Sequence, residues 1–191
     1  MLNVIARADA DRILVIVRHG QTDWNVEERY QGQLDVPLNG TGRLQAESLR
    51  LSLAGMVFDA VYSSPLQRAY ETANIICCDA PIARDGRLRE IHHGAWQGKT
   101  KHEIALDPGS HSNGDAESIE QVRARVADFL RTVDGKRILC VTHGVVIQTL
   151  RSILLNIPHP KPYDAVPANG SVHAFAFHDN QVTAYGHENP R

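Results

Sequence analysis

Two short polar clusters are the places where this chain could do chemistry. Arg18-His19-Gly20 follows the apolar run Ile13-Leu14-Val15-Ile16-Val17, and Thr142-His143-Gly144 follows Ile138-Leu139-Cys140-Val141. An arginine offers a fixed cationic fork that suits phosphate oxygens. A histidine is a nitrogen nucleophile or base near neutral pH. A glycine lets the backbone turn and lie close to a ligand. A third arginine-bearing stretch, Ser63-Ser64-Pro65-Leu66-Gln67-Arg68, places Arg68 about one turn inside a helix that begins near Pro65. A helix N-terminus and an arginine together favour an anion.

The elements that must position these residues follow from hydrophobic patterning. Runs without polar alternation, rich in β-branched residues, predict strands buried on both faces of a parallel sheet. Ligands bind outside the carboxyl ends of such strands, where both polar clusters fall. Two strands ending in His-Gly, far apart in sequence, predict one site at a shared sheet edge. A further strand is expected over 58–63, and helices over 41–53, 100–106 and 145–155. The first of these is capped by Thr41, with Leu44, Ala46, Leu49 and Leu53 on its apolar face. Ile119, Val122, Val126, Phe129, Leu130 and Val133 share one face of another helix. Two strands, about 171–178 and 181–185, close the chain around a turn at Asp179-Asn180. The pattern predicts a three-layer α/β/α sandwich with a mostly parallel sheet and an antiparallel edge strand.

These motifs, in this order, resemble the histidine phosphatase superfamily, the phosphoglycerate mutase-like enzymes, over about residues 13–185. The resemblance implies that His19 is the phosphoryl-accepting nucleophile and that Arg18, Arg68 and His143 hold the phosphate. It implies that Asn25 and Gln31 line the phosphate pocket, with Gly32 and Gly144 as further substrate-binding positions. Leu88-Arg89-Glu90, followed by Gly94-Ala95-Trp96-Gln97-Gly98, resembles the family's acid segment and makes Glu90 the proton donor. A carboxyl group needs burial or anionic neighbours to stay protonated near pH 7, and a dianionic phosphate supplies part of that. The chain departs from the family in one place, with Ala116 where a glycine usually precedes Glu117-Ser118.

Composition sets bounds on the rest. At 191 residues the chain is read as one domain, with residues 1–11 a short N-terminal extension lacking a signal-peptide core. A net charge of −2 gives no bulk attraction to nucleic acid or membrane. Cys77, Cys78 and Cys140 lie in apolar contexts and predict buried, reduced thiols in a cytoplasmic protein. Cys78 and Arg84 have the Cys-x5-Arg spacing of cysteine-dependent phosphatases. Pro81 removes an amide donor there and no glycine is present, so the spacing is set aside. His92, His93, His102 and His111 are irregularly spaced and are assigned to loops, and neither metal nor cofactor is expected.

The resulting expectation is a phosphatase that passes a phosphoryl group from a small phosphomonoester through phosphohistidine to water. A cofactor-dependent phosphoglycerate mutase is the second reading, and a non-catalytic phospho-ligand or protein-binding module the third. The modest segment between Glu90 and His143 resembles the phosphatase branch. Specificity is assigned to a lid over 107–115 and to the surroundings of Trp24, Leu34 and Trp96. Sugar phosphates, phosphoglycerates and a cobalamin-precursor phosphate are all compatible, as are a monomer and a homodimer.

Overall fold

The computed structural model describes residues 10–78, 80–106, 114–160, 166–179 and 181–188. Six strands form one sheet: β1 (Arg12–Arg18), β2 (Ala60–Ser63), β3 (Ile82–Arg84), β4 (Arg137–Thr142), β5 (Val172–His178) and β6 (Gln181–Glu188), in the spatial order β3-β2-β4-β1-β5-β6. The first four in that order run parallel, β5 is antiparallel to β1, and β6 returns antiparallel to β5. This is the expected sheet, closed by the expected hairpin. Asp179 turns it in a left-handed conformation, and Asn180 lies outside the described residues.

Helices cover both faces. α1 (Asp23–Val26) is a single turn; α2 (Gly40–Leu53) and α3 (Gln67–Cys77) pack on one face. α4 (Lys101–Leu106) is short, and α5 (Ile119–Thr132) and α6 (Gly144–Leu155) pack on the other face. Strand β1 feeds both layers because its side chains alternate. Ile13, Val15 and Val17 meet Leu49, Leu53, Ala69 and Ala73, whereas Leu14 and Ile16 meet Val126, Phe129 and Ile147. All five are buried.

Four local details differ from the sequence reading. The cap of α2 is Asn39, whose side chain accepts from the Gly42 amide at 2.9 Å; Thr41 is already inside the helix. Leu44 is 72% exposed, because the buried stripe of α2 runs through Gly42, Ala46, Leu49 and Leu53 instead. Helix α3 begins at Gln67, two residues after Pro65, and its first amide is capped from outside by Asp35 at 2.6 Å. The cysteines also divide: Cys140 is buried, Cys77 half-buried and Cys78 exposed, since α3 ends at Cys77 and Cys78 turns the chain with a positive φ. Residues 107–113 of the expected lid, and residues 1–9 of the expected extension, lie outside the described residues.

Gly20 and Gly42 show how tightly the loop after β1 is seated. A Cβ on Gly20 would collide with the Gly42 backbone, and one on Gly42 with the backbone of Gln21. Gly42→Ala should therefore cost about 1–3 kcal/mol of stability and lower any activity that depends on His19. Gly40→Ala, which meets open space at the start of the same helix, should be neutral or slightly stabilising. Urea midpoints of the two variants decide the matter; equal midpoints would show that the loop yields freely.

Candidate active site

The site is built by strand register. In the β1–β4 pairing Arg18 lies opposite Thr142, and the His19 amide donates to the Thr142 carbonyl at 3.0 Å. The residues one step beyond, His19 and His143, therefore emerge side by side, with ring centroids 5.1 Å apart. Both are buried, at 2% and 0% exposure. On the far side of β4, Ser63 pairs with Val141, so Ser64 emerges next to His143. Three neighbouring strands thus deliver Ser64, His143 and His19 in a row.

The imidazole of His19 is oriented by its own loop. Its Nδ1 lies 2.7 Å from the Gly20 carbonyl, which can only accept, so Nδ1 carries the proton and Nε2 keeps its lone pair. Burial, then the charges of Arg68 and Arg18, hold the ring well below the ordinary histidine range. His19 is consequently a neutral base or nucleophile at pH 7. Gly20 is fixed in turn by Thr72 of α3, whose Oγ1 accepts the Gly20 amide at 3.0 Å and donates to the Arg68 carbonyl at 2.7 Å.

Arg18, His19, Asn25, Gln31, Gly32, Arg68 and Glu90 line one cleft of about 510 Å³. Arg68 is 1% exposed and its terminal nitrogens donate to the carbonyls of Leu34 (2.9 Å) and Gly32 (2.7 Å). Burial lowers it to about 10, opposed by the negative charges of Glu90 and Asp35. Arg18 donates to the Pro167 carbonyl and is likewise lowered by burial and raised by Glu90. Asn25 belongs to a capping box with Thr22, and its Oδ1 takes the Thr22 amide and hydroxyl (both 3.0 Å) and the Asn169 amide (3.2 Å). That leaves Nδ2 as its donor to the cleft. The Glu90 carboxylate sits against the start of α6, accepting from Ile91 N at 3.0 Å and Val145 N at 3.4 Å. Its carbonyl is held by Gln33 (3.0 Å) and by Arg125 (3.2 Å), which is paired with Glu117. Gly144 begins α6, and a Cβ there would press on Val166 and reach 3.7 Å from the Arg18 guanidinium.

Among the described residues Gln31 Oε1 lacks a hydrogen-bond partner here, and so do three buried nitrogens: Arg18 Nε and Arg68 Nε on the cleft lining, and His143 Nδ1 on the ring beside His19. Buried polar groups are normally paired, so orphans grouped at one cleft mark a ligand of complementary chemistry. All three belong to groups that bind anions.

The cleft also contains residues that the sequence reading did not assign. Asn169 donates to the carbonyl of His19 (3.1 Å) as well as to Asn25. Tyr30 and His93 line the outer part, their rings 5.1 Å apart edge to face. His93 is a buried residue rather than a solvated loop histidine, and burial lowers it to about 4. Of the three residues assigned to specificity, Trp24 lines the cleft; Trp96 stacks behind Tyr30 at 5.8 Å, and Leu34 contributes a backbone carbonyl to Arg68. Cys78 and Arg84 do not converge on an anion site, since Arg84 lies 3.6 Å over the ring of Tyr70 and Cys78 is exposed beyond α3.

With fold and site described, comparison with known proteins identifies the class. The family profile of the histidine phosphatase superfamily (branch 1) matches residues 14–189, and the chain belongs to that superfamily. It is 40% identical over 158 residues to "Phosphoglycerate mutase-like protein 4" of Arabidopsis thaliana, covering 72% of this chain and 68% of that protein. It is 32% identical over 161 residues to "Phosphoserine phosphatase 1" of Hydrogenobacter thermophilus, covering 75% and 76%. Among solved structures, a mycobacterial glucosyl-3-phosphoglycerate phosphatase in complex with VO3 superposes with a TM-score of 0.77 at 32% identity, over 91% of this chain and 97% of that one.

The buried histidines carry a stability consequence. His19, His93 and His143 are all lowered, so between pH 6.5 and about 4 the unfolded chain binds protons that the folded protein refuses. Stability should then fall as the pH drops through that window. In His93→Gln the decline should be shallower by one proton, about 1.4 kcal/mol per pH unit. Urea unfolding from pH 7 to 4.5 measures both slopes; identical slopes would mean that His93 protonates in the folded protein.

Proposed function

We propose that this protein is a phosphomonoester phosphatase that hydrolyses a small phosphorylated metabolite through a phosphohistidine on His19. The observation that carries the reading is the set of three unpartnered buried nitrogens, on Arg18, Arg68 and His143, around a neutral His19 whose Nε2 is free. Such a cluster suits the oxygens of a phosphoryl group, and side-chain cations and dipoles then supply the charge stabilisation of the transfer. Asn25 and Gln31 add amides, the carbonyls of Gly32 and Pro167 hold Arg68 and Arg18, and the missing side chain of Gly144 leaves room beside the Arg18 guanidinium.

In the first step His19 Nε2 bonds to phosphorus as the ester P–O bond breaks, and Glu90 gives its proton to the departing oxygen. A dianion beside a carboxyl group favours the protonated form that this step requires. In the second step water bonds to phosphorus, the P–N bond breaks, and the water's proton returns to Glu90. His19 keeps its Nδ1 proton on the Gly20 carbonyl throughout.

A mutase reading shares this machinery and is favoured by the 40% identity to a phosphoglycerate mutase-like protein. It differs in the acceptor, an organic hydroxyl in place of water. Either activity uses one catalytic domain acting on a small molecule, with no role for nucleic acid. A cytoplasmic location agrees with three free thiols, and no described helix is long and apolar enough to cross a membrane. Phosphate release from a panel of phosphomonoesters, with and without 2,3-bisphosphoglycerate, separates the two readings. Release that needs no bisphosphate is expected; isomerisation that depends on it would establish the mutase.

Two further outcomes test the roles. Quenching into alkaline detergent during turnover should trap an acid-labile, base-stable phosphoenzyme that His19→Ala abolishes, and trapping on Cys78 would overturn the reading. Glu90→Gln should lose about 10²–10⁴-fold on alkyl phosphates and far less on p-nitrophenyl phosphate, whose leaving group needs little help. Burst kinetics isolates the phosphorylation step. Equal losses on both substrates would show that Glu90 holds structure rather than a proton.

A further inference from the structure

The second histidine poses a question of proton position. His143 is neutral, because burial first and then the charges of Arg68, Arg18 and Arg125 oppose its protonation. A neutral imidazole carries one proton, on Nδ1 or on Nε2. Nε2 lies 2.8 Å from the hydroxyl oxygen of Ser64, and Nδ1 has no partner. Ser64 is fully buried, and its oxygen also accepts the Leu66 amide at 3.3 Å.

Hydrogen-bond inventory then chooses between the tautomers. The Ser64 hydroxyl has one proton to place. Among the described residues its only acceptor in reach is the Nε2 lone pair of His143. If Nε2 held the ring proton, two protons would face each other, or the hydroxyl proton would be stranded in a buried site. Nδ1 would at the same time keep a bare, buried lone pair with no donor to it among the described residues. With the ring proton on Nδ1, Ser64 donates to Nε2, and the sole unsatisfied group is an N–H donor beside Arg18 and Arg68.

We propose that Ser64 is a positioning residue, whose hydroxyl holds His143 in its Nδ1–H tautomer so that His143 binds a phosphoryl oxygen as a neutral donor. The proposal rests on the reading of the cleft as a phosphoryl site, and it assigns a function to the first residue beyond β2. The sheet supplies the alignment: the first residues beyond β2, β4 and β1 are Ser64, His143 and His19. Ser64 fixes the proton of His143 much as the Gly20 carbonyl fixes that of His19. The two histidines are thereby given opposite faces, a lone pair on His19 Nε2 and a proton on His143 Nδ1.

The test uses the intact protein labelled with ¹⁵N-histidine, the His143 resonances being assigned by their loss in His143→Gln. In the unmodified protein at pH 7, two-bond correlation spectra should show His143 with a protonated Nδ1 and an unprotonated Nε2. A protonated Nε2 would overturn the proposal without any variant being made. In Ser64→Ala the Nε2–H form should appear, and orthovanadate and inorganic phosphate should bind roughly 5- to 30-fold more weakly. Loss of kcat should exceed change in KM. Ser64→Thr, which keeps the hydroxyl, should restore the tautomer and the anion affinity. An unchanged tautomer together with unchanged vanadate affinity in Ser64→Ala would overturn it. Absence of phosphatase activity, with tautomer and anion binding as expected, would refute the proposed reaction and leave the role of Ser64 standing.

Discussion

The parallel pairing of β1 with β4 is the constraint on which the site depends. Its last link, from the His19 amide to the Thr142 carbonyl, sets His19 and His143 at the same height on the sheet edge. A slip of one residue would move Ile13, Val15 and Val17 to the opposite layer and exchange the two cores. Because both faces of β1 are buried against different helices, that slip is energetically closed. The accuracy of the histidine pair is therefore inherited from hydrophobic packing well below the site. No residue of the cleft has to enforce it.

The same burial makes the cleft costly when empty. Arg68 is almost wholly inaccessible, and Arg18 beside it gains only one nearby carboxylate, Glu90, as a common counter-charge. Arg18, Arg29, Arg68 and Lys101 against Glu28 and Glu90 leave the cleft lining net positive, and the histidines stay neutral. An arriving dianion compensates this excess and supplies acceptors for nitrogens that lack them. The neutral state of the histidines also matters. On the proposed reading a protonated His19 could not attack phosphorus; burial first, and then the charges of Arg68 and Arg18, keep it unprotonated.

Much of this was legible in the sequence where chemistry and patterning coincide. The run 13–17 specified a doubly buried strand, and the second apolar run ending in His-Gly specified its partner, so the sheet edge and both histidines could be placed. Arg68 was legible through Ser63-Ser64-Pro65, although the helix starts two residues later than that motif suggests, because Asp35 from a distant loop supplies the cap. The cap of α2 falls two residues before Thr41, at Asn39, whose side chain accepts the Gly42 amide and also reaches Gln21 and Asp23. Leu44 is exposed because helical periodicity places it about 180–200° around the helix from Ala46 and Leu53, opposite the buried stripe. Asn169 gave no local signal. Its amide reaches His19 and Asn25 across almost the whole length of the chain, through a loop that hydrophobic periodicity does not describe. His93 looked like a solvated loop histidine because the rings that cover it, Tyr30 above all, lie far away in sequence.

Helix α3 explains how nucleophile and anion-binding arginine keep a common frame. Thr72 follows Arg68 by one helical turn and donates its hydroxyl back to the Arg68 carbonyl. The same oxygen accepts the amide of Gly20, the residue after the nucleophile. Arg68 itself spends its terminal nitrogens on Gly32 and Leu34, which fixes the loop carrying Gln31 and Gly32. One turn of helix thus holds the loop behind His19 and the loop in front of the cleft. A small displacement of α3 would carry His19, Arg68 and the cleft wall together and leave their mutual geometry intact. Lysine at position 68 could keep the charge, but its three donors share one nitrogen and lack the planar fork by which separate Arg68 nitrogens reach the Leu34 and Gly32 carbonyls. The arginine is thus required as much for its shape as for its charge, and the nitrogen left unpaired is the one its structural contacts do not use.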